Sequence, residues 1–330
     1  MSISSELSKK LSSQNLRKTS EKVIVEAPSS TANLGPGFDA FGLALDLFHD
    51  TVTIETTPKR EISITVEGID MKFVPEKPKS NTAGLVASIV MEKAQNPTGI
   101  RICVKKGVPV GKGLGSSASS AAACTLALNK LFGLKLNPEE LVELAAQGEV
   151  ASAGAAHYDN VAAAALGGFV IVTHEPLAVA RLKPPDDLEL AIAIPKVELP
   201  KEKTKMMREI LPKVVDFSNV TKNVSQASRF VAGIALSNIG MMGQSMVDSI
   251  VEPVRSRNIP MYLSVRKAAM GTGASGVAIS GAGPTMLALC DRAKVKTKEV
   301  VKAMTEAFEE GGVTCEGYTA RPSNGAKIVE

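Results

Sequence analysis

The stretch PVGKGLGSSASS, residues 109–120, joins a run of β-branched residues to an alanine-rich run of helical character. Three glycines alternate with other residues in this stretch: Gly111, Gly113 and Gly115. Glycine lets the backbone adopt positive φ and approach a ligand closely. The N-terminus of a helix presents unpaired N–H groups and a positive dipole end, which favour a bound phosphate. The stretch therefore predicts a phosphate-binding loop; a strand–helix turn capped by Ser116 or Ser117 is the alternative.

Two well-known glycine motifs do not account for this loop. The Walker pattern G-x-x-x-x-G-K-[ST] needs glycine at position 106, where the chain has lysine, and Lys112 directly follows Gly111. A second run, GTGASG at residues 271–276, matches the dinucleotide pattern G-x-G-x-x-G. A helical run precedes it and a β-like run follows, which reverses the order that dinucleotide binding needs. We therefore expect a mobile loop that leads into a strand, and no NAD site.

Composition and charge exclude several classes of protein. The 330 residues are enough for a large core and favour two domains. A dispersed net charge of +4 gives no argument for a nucleic-acid partner. The four cysteines contain no C-x-x-C pair and the three histidines lack metal-ligand spacing, which indicates reduced thiols and no histidine-bound metal. No apolar run reaches the ~20 residues of a membrane span, so we expect a soluble, cytoplasmic protein without a membrane partner.

The order of elements predicts an α+β fold in two layers. Strands are predicted at residues 22–27, 50–56, 61–66, 100–106, 167–174, 188–194 and 313–320. A first helix is expected from the serines of the loop to Gly133, and a second is marked by a capping box of Asn137 and Glu140 with Pro138 between them. Strands come first and helices after, without regular βαβ alternation, which favours α+β over a doubly wound sheet.

Three segments are expected along the chain. Residues 1–20 are rich in serine and lysine with few large apolar residues, and predict a mobile tail. The run ARLKPPDDLEL at residues 180–190, with two prolines and paired aspartates, marks a domain boundary. The chain is therefore divided into a tail, an N-terminal domain over residues 21–185 and a C-terminal domain over residues 186–330.

The loop at residues 109–120 resembles the P-x-x-x-G-L-G-S-S-A loop of the GHMP kinases, the family of galactokinase, homoserine kinase, mevalonate kinase and phosphomevalonate kinase. Two further blocks resemble the family in the same order. APSSTANLGPGFDAFGLAL at residues 27–45 is similar to its substrate-side segment, and AISGAGPTMLAL at residues 278–289 to its third motif. The resemblance implies an ATP-binding N-terminal domain like the second domain of ribosomal protein S5. It also implies a ferredoxin-like C-terminal domain, with ATP and substrate between the two.

This resemblance implies sites for ATP and for a metal ion. The ATP-binding residues would be Asn81, Pro109, Gly111, Lys112, Gly113, Leu114, Gly115, Ser116, Ser117 and Ala118. Ser117 and Glu149 would ligate Mg²⁺, which prefers hard oxygen ligands together with nucleotide phosphates. Read from the residues alone, Asn81 is equally explained as a helix N-cap and Glu149 as a solvated surface carboxylate.

Within the family, the substrate-side residues resemble those of the homoserine kinases. The catalytic residues would be Asn33, Asn160 and Glu149, and the substrate-binding residues Asn33, Asp39, His157, Arg208 and Arg255. The asparagines would orient the acceptor hydroxyl, Asp39 would bind the substrate ammonium, and the arginines would bind its carboxylate. Read without the resemblance, Asn33 and Asp39 could form Asx turns, His157 could be hydrogen-bonded at a helix end, and either arginine could be solvated.

Two points stay open within the resemblance. Arg257 is close enough in sequence to Arg255 to take its place. Asp159 holds the position that corresponds to the base of mevalonate kinase. The resemblance to homoserine kinases instead implies phosphoryl transfer without a dedicated base.

The resemblance implies ATP- and Mg²⁺-dependent phosphorylation of L-homoserine to O-phospho-L-homoserine, on the route to threonine. The alternatives are another small-molecule kinase of the family, such as a shikimate or mevalonate kinase, and a non-catalytic nucleotide-binding member. The expected partners are homoserine and ATP, and the oligomeric state is left open, with a homodimer as one option.

Overall fold

The structure is a computed structural model that describes most of the chain. The described residues are 3–13, 22–93, 98–154, 156–200 and 203–329. In the first half, the helices are α1 (Ser5–Ser13), α2 (Thr82–Lys93), α3 (Ser116–Phe132), α4 (Pro138–Ala153) and α5 (Tyr158–Leu166). The strands there are β1 (Lys22–Asn33), β2 (Gly37–Thr57), β3 (Ile62–Gly68), β4 (Gly99–Lys106), β5 (Phe169–His174) and β6 (Leu177–Leu182).

The second half contains the other elements. In chain order they are β7 (Leu188–Pro195), α6 (Lys203–Glu209), α7 (Phe217–Ala235), α8 (Ile239–Gln244), α9 (Glu252–Arg255), α10 (Tyr262–Gly271), β8 (Gly276–Ile279), β9 (Met286–Asp291), α11 (Thr297–Glu310), β10 (Cys315–Ala320) and β11 (Lys327–Ile328). The expected order holds around GTGASG, where α10 leads through a turn into β8.

A larger sheet forms the first half, in the order β11-β1-β2-β4-β3, and β5 joins it through β2 and pairs with β6. The long β1 and β2 pair antiparallel from Lys22 opposite Glu55 to Asn33 opposite Gly37. Helix α3 packs on these two strands through buried alanines such as Ala118. Small side chains let the helix approach the sheet closely, so the alanine-rich run places the start of α3 directly above the strand β1.

A smaller antiparallel sheet forms the second half, in the order β10-β7-β9-β8. Its chain order of strand, helices, two strands, helix and strand gives the ferredoxin-like arrangement. The α+β expectation and the ferredoxin-like C-terminal domain are therefore confirmed.

An apolar cluster joins the two halves. Phe41 of β2 and Phe169 of β5 pack against Phe230 of α7, with ring centroids 5.1–5.7 Å apart. The chain also returns at its end, where β11 pairs with β1 and places Ile328 opposite Val25. Aromatic pairs contribute more stability than their buried area alone provides. This packing holds the two halves together, so residues of both halves can form one site.

The expectation of a mobile tail is wrong for residues 5–13, which form α1. Leu7 and Leu11 are fully buried against the first domain, and Lys10 pairs with Glu140 of α4. Two leucines four positions apart share one face of a helix, and that apolar pair stabilises the segment. Of the expected tail, residues 1, 2 and 14–20 lie outside the described part of the chain.

The helix starts show one correct and one wrong prediction. Asn137 and Glu140 form both bonds of the capping box that opens α4, as predicted. The serine cap of α3 is wrong, because the N-cap residue is Gly115 with φ 68° and without a side-chain bond. The serine hydroxyls point elsewhere: Ser116 Oγ donates to Val108 O at 2.8 Å and Ser117 Oγ donates to Glu149.

Strand β6 was not predicted, because its residues overlap the proline-rich run assigned to a domain boundary. Among the described residues, no helix combines the length and the hydropathy that a membrane span requires.

Candidate active site

The glycine–serine loop lies between β4 and α3, and its glycines are packed too closely for side chains. A Cβ atom on Gly113 would lie 2.3 Å from Ser280 O, and one on Gly115 would lie 2.0 Å from Ser30 Oγ. Both residues also have positive φ, 82° and 68°. The loop therefore brings bare backbone to the first turn of α3, the geometry that a phosphate needs.

The third motif connects the loop to the substrate-side segment. Ser280 Oγ donates to Gly113 O at 2.6 Å and lies 2.8 Å from Thr31 Oγ1, whose hydroxyl can donate to it. The backbone N–H of Gly281 donates to Ala32 O at 3.2 Å. The three sequence blocks therefore meet at one place, although up to about 250 positions separate them.

A buried ion pair, not found from the sequence, supports the loop from below. Lys106 Nζ contacts an Asp50 carboxylate oxygen and donates to Ser116 O at 2.8 Å. The other Asp50 oxygen accepts backbone N–H bonds from residues 107 and 108, both at 3.0 Å. The pair thus fixes the start of the loop and the first turn of α3. The strand alternation that buries Ile102 was the missed signal, because it places Lys106 on the same face.

Lys106→Met is expected to lower the free energy of unfolding by about 3 kcal/mol, the lower end for breaking a buried ion pair. The lower end of the range applies because Asp50 would still accept hydrogen bonds from the backbone N–H groups of residues 107 and 108. Urea unfolding followed by circular dichroism measures the change. The matched control is Lys105→Met, an exposed neighbour on the same strand, which should stay within about 0.5 kcal/mol of the wild type. Equal stabilities of the two variants would contradict a supporting role for the pair.

Ser117 and Glu149 face each other beside the loop. Ser117 Oγ donates to Glu149 Oε2 at 3.1 Å, and the residue Glu149 is only 3% exposed, so it is not a solvated surface carboxylate. Among the described residues, no cluster of three or more His, Cys, Asp or Glu side chains could hold a metal. A hydroxyl and a carboxylate fit Mg²⁺ if phosphate oxygens and water complete its ligands.

His157 joins this pair from the start of α5. Its Nδ1 lies 3.4 Å from Glu149 Oε2. Burial by itself would lower the pKa of His157, but the hydrogen bond and charge of Glu149 outweigh it and raise that pKa. His157 therefore lies beside the Ser117–Glu149 pair, and its partner is a carboxylate of this chain.

Asn160 links α5 to both the loop and β1. Its Oδ1 accepts a bond from Ser30 Oγ at 3.0 Å and would lie 3.2 Å from a Cβ on Gly115. Its backbone N–H and Nδ2 donate to Asp159 Oδ1 at 2.7 and 3.2 Å. Burial, with a contribution from the Asp39 charge, raises the pKa of Asp159 to about 6, against the opposing effects of His157 and Asn160.

Asn33 ends β1 and Asp39 lies near the start of β2, on the two sides of the turn, and both have left-handed conformations with φ 72° and 56°. Asn33 Oδ1 accepts the backbone N–H of Asp39 at 3.2 Å, and its Nδ2 donates to Gly281 O at 2.9 Å. These bonds span the turn and reach the other domain, so they are not Asx turns. Left-handed backbone is costly for other residues, which suits asparagine and aspartate here.

Two arginines of the second domain reach this turn. Arg208 Nη2 binds both carboxylate oxygens of Asp39, at 2.9 and 2.7 Å. The buried Arg255 donates from Nη1 to Gly281 O at 3.1 Å. Both guanidinium groups lie over the ring of Phe38, 5.6 and 5.1 Å from its centroid. Arg257 is exposed, so the geometry favours Arg255, and Phe38 is a contact that sequence reasoning missed.

Asn81 and Lys112 take backbone partners. Asn81 Oδ1 accepts from Gly84 N at 3.1 Å at the start of α2, which is the bonding of a helix cap. Lys112 Nζ donates to Pro195 O at 3.2 Å, and burial lowers its pKa. Their roles toward ATP remain predictions.

Comparison with known proteins identifies the family to which this chain belongs. The model of the GHMP kinases N terminal domain matches residues 81–168, and that of the GHMP kinases C terminal region matches residues 230–312. A homoserine kinase of Methanocella arvoryzae is 40% identical over 309 residues, 94% of this chain and 98% of that protein. The chain belongs to the GHMP kinase family.

Solved structures of GHMP kinases agree with the fold. The crystal structure of homoserine kinase from Cytophaga hutchinsonii matches with a TM-score of 0.87 and 35% identity, over 95% of this chain and 99% of that one. L. major mevalonate kinase, solved in complex with R-mevalonate, matches with a TM-score of 0.66 at 17% identity, over 95% and 99%. The second likeness shows the GHMP kinase fold alone.

Most of the predicted residues come together in one candidate site. The loop, Ser117, Glu149, His157, Asn160, Asn33, Asp39, Arg208 and Arg255 line one cleft between the two domains, linked by the contacts above. The Lys106–Asp50 pair, Phe38 and Lys203 of α6 were not predicted and lie in or against the same cleft.

Proposed function

We propose that the protein transfers the γ-phosphoryl group of ATP to the side-chain hydroxyl of L-homoserine. The product is O-phospho-L-homoserine, an intermediate on the route to threonine. The observation that carries the proposal is the cluster of Asp39, Arg208 and Arg255 across the cleft from the phosphate loop. A carboxylate beside two guanidinium groups suits a substrate with both an ammonium and a carboxylate. Homoserine kinases that match nearly the whole chain at about 40% identity support the same reaction.

Each polar group of homoserine has a partner in this site. Asp39 would bind the ammonium, and Arg208 with Arg255 would bind the carboxylate. Asn33 and Asn160 would orient the hydroxyl, since both are held by hydrogen bonds to neighbouring elements. Mevalonate and shikimate carry no ammonium, so a site built for them would not need Asp39.

The site provides positioning and charge neutralisation, which dominate phosphoryl transfer. The glycines of the loop and the first turn of α3 would direct backbone N–H groups to the phosphates. Ser117 and Glu149 would hold Mg²⁺, which when bound neutralises charge on the phosphates. Asn160, close to Gly115 and tied to Ser30, would keep the acceptor hydroxyl near the nucleotide.

Release of ADP tests this function directly. The purified protein is incubated with ATP, Mg²⁺ and one acceptor at a time: homoserine, shikimate, mevalonate or galactose. We expect homoserine to give the highest kcat/KM of the four. A higher value with shikimate or mevalonate would overturn the amino-acid assignment, and ADP release with none of them would favour a non-catalytic member. A cytoplasmic location and a homodimer remain proposals.

Asp159→Asn is expected to lose far less activity than the roughly 10²–10⁴-fold that a general base provides. Asparagine keeps the Oδ1 acceptor that Asn160 uses, so the local bonding persists. Initial rates are measured from pH 5 to 9. If Asp159 were the base, the wild-type rate would fall below its pKa of about 6 and the variant would lose that limb. A large loss with unchanged thermal stability would restore Asp159 as the base.

A further inference from the structure

Lys203, the first residue of α6, places a partly buried cation between the two ligand regions of the cleft. Its Nζ contacts Gly283 O and lies 3.4 Å from Ala282 O, in the third motif. Within the described part of the chain it forms no ion pair with a carboxylate. An ammonium has three N–H donors, so these two carbonyls, its hydrogen-bond partners in the described part of the chain, leave one donor for a ligand.

The carbonyl that Lys203 contacts also borders the phosphate loop. A Cβ on Gly113 would lie 2.9 Å from Gly283 O, so the loop packs against the same carbonyl group that Lys203 contacts. On the other side, Arg255 donates to Gly281 O, two residues away. Lys203 thus lies between the loop that would hold ATP and the arginine that would hold the acceptor. A group transferred from that loop to that acceptor would pass through this region.

We propose that Lys203 binds the phosphoryl group that passes from ATP to the acceptor hydroxyl. This inference rests on the proposed kinase function and adds a residue to it. In the transfer, the bond from the γ-phosphorus to the β–γ bridging oxygen breaks. A bond from the acceptor oxygen to phosphorus forms, and the hydroxyl proton is released to solvent. Lys203 keeps its proton throughout and neutralises charge on the moving group.

The charge around Lys203 agrees with an anion site. Among the described residues, the charged groups that act on the pKa of its ammonium are Arg255 from α9 and Lys112 from the phosphate loop, and both are cations. Burial, followed by these two charges, lowers the pKa of Lys203 to about 7. A phosphate beside the ammonium favours the protonated form and raises the pKa again. Binding of a nucleotide with a γ-phosphate should therefore take up a proton above pH 7.

Calorimetry at pH 8, in two buffers that differ in ionisation enthalpy, measures this proton. The probes are the Mg²⁺ complexes of ADP and of a non-hydrolysable ATP analogue. At pH 8 a group of pKa 7 is roughly one-tenth protonated, so the analogue should take up close to one proton, about 0.9, and ADP close to none. Lys203→Met should abolish the uptake and weaken analogue binding by at least about tenfold, with ADP affinity nearly unchanged.

Two further variants separate binding from a structural role. Lys203→Arg keeps a cation that stays protonated, so it should bind the analogue within a few-fold of wild type and take up no proton. Lys205→Met removes an exposed lysine of the same helix and should match the wild type. Unchanged proton uptake in Lys203→Met, or equal losses for ADP and the analogue, would overturn the role of Lys203. If neither nucleotide binds the wild type, the kinase function itself fails.

Discussion

Replacement of Glu149 by glutamine is expected to lower kcat on the order of 10³-fold, equivalent to about 4 kcal/mol of transition-state stabilisation. Glutamine preserves the shape of the side chain and can still accept the Ser117 hydroxyl bond. It removes the negative charge that a divalent cation requires, so neutralisation at the phosphates is lost. Ser117→Ala removes the other proposed ligand and should behave in the same direction. Steady-state rates over a range of Mg²⁺ concentrations measure both effects.

The matched control for Glu149 is Glu139→Gln in the first turn of α4, on the same helix but outside the cleft. It should keep wild-type kcat and lose only the few tenths of a kcal/mol that a charge near a helix N-terminus contributes to stability. Thermal unfolding checks that Glu149→Gln remains folded. Wild-type turnover of Glu149→Gln at saturating Mg²⁺ would show that the metal has other ligands.

Arg255→Met is expected to weaken homoserine binding by about 2–5 kcal/mol, roughly 30- to 4,000-fold in apparent affinity. The substrate carboxylate would enter a buried position with fewer donors, because Arg208 alone would remain to bind it. The KM for ATP should change little, since the phosphate loop is a separate element. Initial rates with each substrate varied in turn separate the two constants.

Two variants control this experiment. Arg257→Met removes an exposed arginine two positions away and should leave both KM values unchanged. Arg255→Lys keeps the charge but loses the planar fork, so it should recover only part of the affinity. A defect that appears in the KM for ATP, or an equal defect in Arg257→Met, would contradict the carboxylate role of Arg255.

The parts of the site that sequence predicts are those with local causes. The glycine spacing and the helix start at residues 111–117 predict a phosphate loop from backbone chemistry alone. The capping box at Asn137 depends only on residues three positions apart and is confirmed. Helix α1 was missed although its apolar pair, Leu7 and Leu11, was visible, because serine and lysine dominate the surrounding composition.

The parts that sequence could not predict depend on contacts between distant segments. The bond from Asn33 to Gly281 joins positions 248 apart, and its partner is a backbone carbonyl that any residue would supply. The pairing of Lys106 with Asp50 depends on the register of β2 against β4, which a single sequence does not specify. The roles of Asn33, Asp39 and the arginines came from the family resemblance, since their local patterns equally suit turns and solvated helices.

If Asp39 and Arg208 bind the substrate as proposed, the ion pair between them would make substrate binding an exchange of partners. The two side chains satisfy each other in the free protein, so a ligand would have to compete with a partner that is tethered nearby. A zwitterion could replace the ion pair between the two side chains by two ion pairs with the ligand, one from its ammonium to Asp39 and one from its carboxylate to Arg208. An amine without a carboxylate, or an acid without an amine, separates the pair and leaves one charge without a counter-ion. Selectivity for amino acids would then come from the ion pair of the free enzyme, because a ligand with only one charge would have to break that pair without replacing both partners.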